Sequence, residues 1–319
     1  MNTFGNNFRI SIYGESHGSQ IGITIDGVPP GLKFDSDALC NDIARRKTGS
    51  FGTSPRSESD APHIASGIFE GFTTGAPINI YFENSNTTSK DYAFVRDTPR
   101  PGHADLTARR KFNGFNDFRG GGSFSGRLTL PIVAAGYFAK LILPEIVFSS
   151  EIISLGGLPP ASETLEDALK DGDSVGAIIE CRINRVPVGL GGQFFGSIES
   201  QIAGLAFSIP GIIGIEFGAG FSGASLRGSE FNDTIIDEKG TTKSNNSGGI
   251  NGGLTNGNEI VFRVAVKPTP SIAKEQMTYD FARQQVAPLK IHGRHDTCFA
   301  LRLPVVIEAI AAIALAEAR

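Results

Sequence analysis

The 319-residue chain carries 29 Lys and Arg against 33 Asp and Glu, a formal net charge of −4, with 40% hydrophobic and 19% charged residues. That balance supplies a real core, excludes a disordered chain, and gives no support for nucleic acid as the main partner. The 40 glycines fall in short runs without a period, which points to tight turns and excludes collagen or a flexible linker.

The N-terminus, MNTFGNNFRISIYG, lacks a charged region followed by an apolar stretch, so it does not read as a signal peptide. Strand-like runs follow at FRISIY (8–13), IGITID (21–26), INIYFE (78–83), AIIECRI (177–183) and IVFRVAV (260–266). Each is rich in β-branched or aromatic residues and bounded by turn formers. A helix is expected over 36–49, with Ser36 as its cap and Gly49 past its end. A second covers 128–142, apolar on most faces, with Pro131 in its first turn. A third covers 162–172, where Ser162 opens an imperfect capping box. The stretch from Pro304 to Arg319 reads as a buried helix, and its apolar segment at 305–316, interrupted by Glu308, is too short to span a bilayer. Cys40, Cys181 and Cys298 form no CxxC pair, which argues against a zinc site and for buried thiols in a reducing cytosol. The irregular alternation of strands and helices predicts a mixed α/β layered fold in one domain, soluble and cytoplasmic.

Four segments look unlike scaffold: Gly14-Glu15-Ser16-His17-Gly18; Arg100-Pro101-Gly102-His103-Ala104-Asp105; the run Asp117 to Arg127 containing Gly120-Gly121-Gly122; and Lys267 to Ile272 together with Gly293-Arg294-His295-Asp296-Thr297-Cys298. Successive glycines can turn backbone N–H groups toward one anion, with the following helix start adding its dipole. A plain glycine turn explains them equally well, and the pattern is not a nucleotide triphosphate loop. His17 and His103 sit in glycine turns, where an imidazole can hand a proton to a leaving group or a cofactor, or simply cap the turn. Arg45, Arg46, Arg100, Arg127 and Arg294 lie in or beside these turns, and guanidinium forks bind phosphate and carboxylate in pairs of hydrogen bonds. Such a set would repel itself unless an anion completed it. Asp296 could relay a proton, or form an ordinary salt bridge to Arg294.

The strings GESHG, RPGHAD, RGGG with SGR, FGAGF, GGINGG, KPTPSI and GRHDTC resemble, in the same order, those of the chorismate synthases. The resemblance implies a β-α-β sandwich, a homotetramer and reduced FMN as cofactor. It implies a carbon–oxygen lyase acting on 5-enolpyruvylshikimate 3-phosphate, with a 1,4-anti elimination to chorismate and phosphate and no net redox change. It also implies that His17 protonates the departing phosphate, that His103 protonates the reduced flavin, and that Asp296 takes up the C6 proton. Ser16 and Ser125 would hydrogen-bond near these groups. Arg46, Arg100, Arg127 and Arg294 would hold the substrate's anionic groups, Arg294 also facing flavin. Ser123, Phe124, Ser125, Gly252 and the run Lys267, Pro268, Thr269, Pro270 and Ser271 would contact flavin. No metal is implied.

Three positions depart from the family pattern: Ser123 where Arg or His is usual, Ile213 where Lys is common, and Gly52 near a frequent second Arg. The chain is short for the family, with trimmed segments near 157–175 and 274–290. Some members reduce their own flavin with NADPH. With no extra domain here, an outside reductant is expected. Two other readings remain at this point: a flavin oxidoreductase, which would need a nicotinamide motif that GGGSFSG does not provide, and a flavin or phosphate carrier, which would not need two histidines.

Overall fold

The computed structural model describes residues 2–54, 58–86, 89–291, 293 and 295–319, without the side chains of 89–91. Arg294, expected at the site, lies outside the described residues. In chain order the elements are strands β1 (Thr3–Phe4), β2 (Arg9–Gly14) and β3 (Gln20–Asp26), helix α1 (Ser36–Arg46), and strands β4 (His63–Ser66), β5 (Ile68–Phe69), β6 (Phe72–Thr73) and β7 (Ile78–Glu83). Helices α2 (Asp105–Lys111) and α3 (Thr129–Ile142) lead to β8 (Val147–Leu155), α4 (Ser162–Lys170), β9 (Ala177–Asn184), α5 (Ile198–Ser208), β10 (Ile212–Phe217) and α6 (Gly228–Phe231). Strands β11 (Ile250–Asn251), β12 (Leu254–Thr255), β13 (Ile260–Val266), β14 (Gln276–Asp280) and β15 (Gln285–Leu289) precede the last helix, α7 (Pro304–Glu317).

Among the described residues, β1-β2-β3-β7-β4 form one antiparallel sheet and β10-β13-β9-β8 another. Helices α3 and α7 lie between them, α3 against β2, β3 and β7, and α7 against β8 and β9. This is the expected β-α-β sandwich. The reason is legible in α7, which is apolar around its circumference apart from Glu308 and buries every residue from Val305 to Ala316. Such a helix needs neighbours on all sides. The two helices touch backbone to backbone at Gly136, where a Cβ would sit 2.3 Å from the Cβ of Ala309. Strand β9 buries Ala177, Ile179, Cys181 and Ile183, the period-two pattern of a sheet with one core face. Ile178, Arg182 and Asn184 are exposed on the other face, where Glu180 is covered by its ion pairs with Arg182 and Arg263. No helix among the described residues is long and apolar enough to cross a membrane.

Several expectations need correcting. The cap of α1 is Asp35, whose carboxylate accepts from the N–H groups of Asp37 and Ala38. Ser36 is already inside the helix. Helix α4 starts after Ala161 with no side-chain cap, so Ser162 caps nothing. Cys40 is exposed, unlike Cys181 and Cys298, because it lies on the outer side of α1. Strands β8 and β10 were not expected. Both lie at edges of their sheet and are only half covered.

Candidate active site

Strand β2 ends at Gly14, whose φ of +96° lets the chain turn back where a Cβ would meet Gln20 O at 2.4 Å. The turn that follows is closed by Gly18 N–H donating to Glu15 O at 3.0 Å, and it presents Ser16 and His17, both buried. The His17 ring meets the ring of Tyr92 edge-on, with centroids 5.2 Å apart.

Against this turn lies the glycine run. Gly120, Gly121 and Gly122 have φ of +57°, +86° and +55°, which side-chain-bearing residues rarely adopt. Space demands glycine as much as conformation does. A Cβ on Gly120 would lie 2.6 Å from the His17 ring and 2.8 Å from Ser16 Oγ, and one on Gly121 would lie 3.3 Å from the His103 ring. The run thus brings both histidines to one turn. The anticipated anion cradle at a helix start is not what forms. A short turn at Gly126–Leu128 separates the run from α3, and the Gly121 N–H donates to Phe118 O.

His103 is set by its own motif. Its Nδ1 lies 2.6 Å from Asp105 Oδ1, and Asp105 also receives Arg100 through Nε at 2.7 Å and Nη2 at 2.8 Å. Burial alone would raise the Asp105 pKa, but the hydrogen bonds from Arg100 and His103 hold it well below the usual carboxylate range. Burial pushes the His103 pKa down, with the Asp105 hydrogen bond opposing and the Arg100 charge adding. The imidazole is therefore favoured in its neutral form, Nδ1–H toward Asp105, while Nε2 faces Arg100 Nη2 at 3.2 Å. Arg100 Nη1 reaches Ser271 Oγ at 3.0 Å, which ties the RPGHAD turn to the KPTPSI segment.

A second wall carries Arg46 and Arg127. Arg46 shares the inward stripe of α1 with Leu39 and Ile43, so a cation stands where the helix pattern asks for an apolar residue. Its Nε donates to Thr129 Oγ1 and its Nη2 to Gly126 O, both at 2.8 Å. Burial, followed by repulsion from Arg302, pushes its pKa well down despite Asp60. Arg127 donates to Asn84 Oδ1 at 2.6 Å and to Asp60 Oδ1 at 2.8 Å, while Ser125 Oγ accepts the Arg127 N–H. Asp60, in the left-handed region at φ +51°, stands 4.0 Å from Arg46 Nη1. Asp296 accepts Ser54 N–H at 2.6 Å and pairs with Arg302 at 3.3 Å. Arg302 is thus the cation that meets Asp296 among the described residues.

These elements enclose one cavity of about 540 Å³. Of the expected residues, Ser16, Arg100, His103, Ser123, Phe124, Ser125, Arg127, Asp296 and the Lys267–Ser271 run line it. His17 stands behind Gly120 and Arg46 behind Gly126. Gly252 does not line it. The β11–β12 turn is pinned elsewhere, with Gly253 O accepting from Ile198 N–H. Arg45 also turns away, toward Glu308 on α7. Of the departures, Ser123 lines the cavity, Ile213 projects into solvent from β10, and Gly52 packs against Leu165 and Leu301. Sequence reasoning missed Asp60, Asn84, Tyr92 and Arg302, and left Asp105 without a role. The arginines are held by the protein's own carboxylates, Asp105 for Arg100 and Asp60 for Arg127, and by hydroxyl, amide and backbone oxygens. Among the described residues, three buried polar atoms at this site have no hydrogen-bond partner: Ser16 Oγ, Thr269 Oγ1 and Arg46 Nη1.

The family model for chorismate synthase matches residues 8–319. A chorismate synthase from Chitinophaga pinensis is 54% identical over 318 residues, covering 99% of this chain and 96% of that protein. One from Pyrococcus abyssi is 42% identical over 341 residues, covering 98% and 96%. That alignment is longer than the 319-residue chain itself, so this chain is shortened relative to it. A crystal structure of chorismate synthase superimposes with a TM-score of 0.75 at 26% identity, covering 99% of this chain and 92% of that one.

Proposed function

The chain belongs to the chorismate synthase family, whose reaction is the 1,4-anti elimination of phosphate from 5-enolpyruvylshikimate 3-phosphate to give chorismate, and we propose that it works with reduced FMN in the cavity just described. The observation that carries this reading is the pairing of His17 and His103 on Gly120 and Gly121 of one turn, beside Arg46, Arg100 and Arg127. A carrier has no use for two such imidazoles.

The residues fit a flavin. A cavity of about 540 Å³ lies within the ordinary range of ligand sites, roughly 300–1,000 Å³. The partnerless hydroxyls of Ser16 and Thr269 suit a polar ligand, since a buried hydroxyl without a partner is costly. The chemistry that reduced FMN supplies when bound is electron density lent as phosphate leaves C3 and recovered as hydrogen leaves C6, without net redox change.

The chain's own residues do the rest. Lys267, Pro268, Thr269, Pro270 and Ser271, with Ser123, Phe124 and Ser125, hold the cofactor. Arg100 and Arg127 line the wall that receives the substrate's anions. Arg46, buried behind them with an under-compensated charge, adds a field that favours an anion there. His17 protonates the departing phosphate, with Ser16 Oγ alongside. His103, its tautomer set by Asp105, would stand beside the bound cofactor as its proton partner, with Nε2 facing Arg100 Nη2 at 3.2 Å. Asp296, fixed by Ser54 and Arg302, takes up the C6 proton. Ser125 fixes the Arg127 backbone. Gly252 has no role at this cavity within one chain. We further propose that the 319 residues act as one domain in a cytoplasmic homotetramer fed by an outside reductant.

The test is anaerobic turnover. With dithionite-reduced FMN the purified protein is expected to release phosphate over many turnovers. With oxidised FMN in air it is expected to be inactive. Oxidation of one flavin for each phosphate released would replace this reading with an oxidoreductase.

A further inference from the structure

Asn84 follows β7 directly, and its side-chain amide is used at every position. Its Nδ2 donates to Glu15 O at 3.0 Å and to Gly18 O at 2.9 Å. Those carbonyls bracket Ser16 and His17. Its Oδ1 accepts from Arg127 Nε at 2.6 Å, and its backbone N–H donates to Ser19 O at 3.0 Å. The partners fix the amide's orientation, because carbonyls can only accept and a guanidinium can only donate. One half-buried side chain therefore spans from the histidine turn to the arginine wall.

We propose that Asn84 is a positioning residue for the elimination, holding the His17 turn and the Arg127 guanidinium in one register so that proton donor and anion fork meet the same substrate. The proposal rests on the roles given above to His17 and Arg127. The demand on residue 84 is narrow. Two donors and one acceptor must leave the same short stem. Asp supplies the acceptor without the donors, Ser has one donor, and Gln puts the amide one methylene too far. Two backbone bonds also hold the turn, Gly18 N–H to Glu15 O at 3.0 Å and Ser16 N–H to Gly122 O at 3.1 Å. Neither reaches Arg127. Asp60 and Glu83 O hold the far side of Arg127 and leave its Nε to Asn84.

The consequence is an energetic coupling between residues 84 and 17, read by steady-state kinetics with reduced FMN. A shift of about 1 Å in a reacting group can cost on the order of a hundredfold, so Asn84→Ala is expected to lower kcat by about ten- to a hundredfold. In a His17→Ala background the same change is expected to cost less than about twofold, because residues that act as a unit are not additive. Asn84→Asp keeps the acceptor for Arg127, so KM should stay near wild type while kcat falls. Should Asn84→Ala not fold, the Asn84→Asp pair with and without His17 makes the same comparison. Equal fold-losses in both backgrounds, with His17→Ala itself impaired, would overturn the positioning role alone. Wild-type turnover of His17→Ala would instead overturn the role of His17, and this proposal with it.

Discussion

Arg45 and Arg46 are neighbours on α1, yet they end in two ionic clusters of opposite character. Arg45 meets Glu308 through both terminal nitrogens at 2.7 and 2.5 Å, and Lys140 and Ser150 add to the same carboxylate. That cluster is closed: burial would raise the Glu308 pKa, and its cationic and hydroxyl partners hold it below the usual range. Arg46 turns the other way, to a cluster with Asp60, Arg127 and Arg302 in which its Nη1 has no hydrogen-bond partner among the described residues. Ser16 Oγ and Thr269 Oγ1 are in the same state. The closed cluster pins a charge inside an apolar slab. Under the function proposed above, the open one keeps donors in reserve for a ligand. The difference separates polar groups that serve the fold from polar groups that serve a ligand.

The largest test breaks the closed cluster. Glu308→Ala leaves Lys140 and Arg45 without their buried partner, and breaking a buried ion pair costs about 3–5 kcal/mol. Arg45 is 45% exposed and can turn to water, so the lower end is expected. Denaturant unfolding should show that loss, while the rate per folded molecule stays at wild type. A rate that fell with stability unchanged would merge the two clusters into one.

The mirror experiment breaks the open side. His17→Ala and His103→Ala are each expected to lower turnover by about a hundredfold or more, the scale of lost general acid–base help, with flavin still bound and unfolding little changed. Wild-type turnover in both variants would remove the site from the reaction.

How far this division was legible beforehand depends on the distance of each cause along the chain. The strands at 78–83 and 260–266 were read to the residue, because alternation and flanking turns are local. Strands β8 and β10 escaped, since as half-covered edges they lack a clean alternation. The motifs carrying His17, His103 and Asp296 stood out through their glycines and neighbours. Asp60 and Asn84 did not, because Arg127 is 67 and 43 positions away from them. Arg46 carried a signal that passed unread, a cation in register with Leu39 and Ile43 on the inward face of α1. Nothing in composition distinguished it from Arg45, and only the helical phase did.

A smaller effect follows from the buried imidazole. The folded-state pKa of His103 is depressed by burial, so the unfolded chain binds its proton more readily. Stability from this group is then present above the unfolded value of about 6.5 and lost as pH falls through the folded one. Replacing it with Gln removes that dependence. Melting temperatures at pH 7.5 and pH 5.5, taken as about one unit on either side of that value, should drop further in wild type than in His103→Gln. Equal drops would mean that the ring is not desolvated.

Single hydroxyls also separate the two clusters. Ser150 Oγ donates to Glu308 at 2.9 Å, whereas Thr269 Oγ1 is buried without a partner. A hydrogen bond to a charged group contributes about 1.5–3 kcal/mol, so Ser150→Ala should destabilise the folded chain. Thr269→Val keeps the side-chain shape and removes a hydroxyl that already lacks a bond. Deleting such a group relieves its desolvation cost, so the free protein should be as stable as before or slightly more so. The loss should appear on binding instead. If flavin or substrate completes that hydroxyl, removing a neutral hydrogen bond of about 0.5–1.5 kcal/mol weakens the ligand's Kd by about two- to tenfold. Titration with reduced FMN, alone and with substrate, measures it. A Thr269→Val protein that is destabilised like Ser150→Ala, yet binds both ligands normally, would show that this hydroxyl serves the fold.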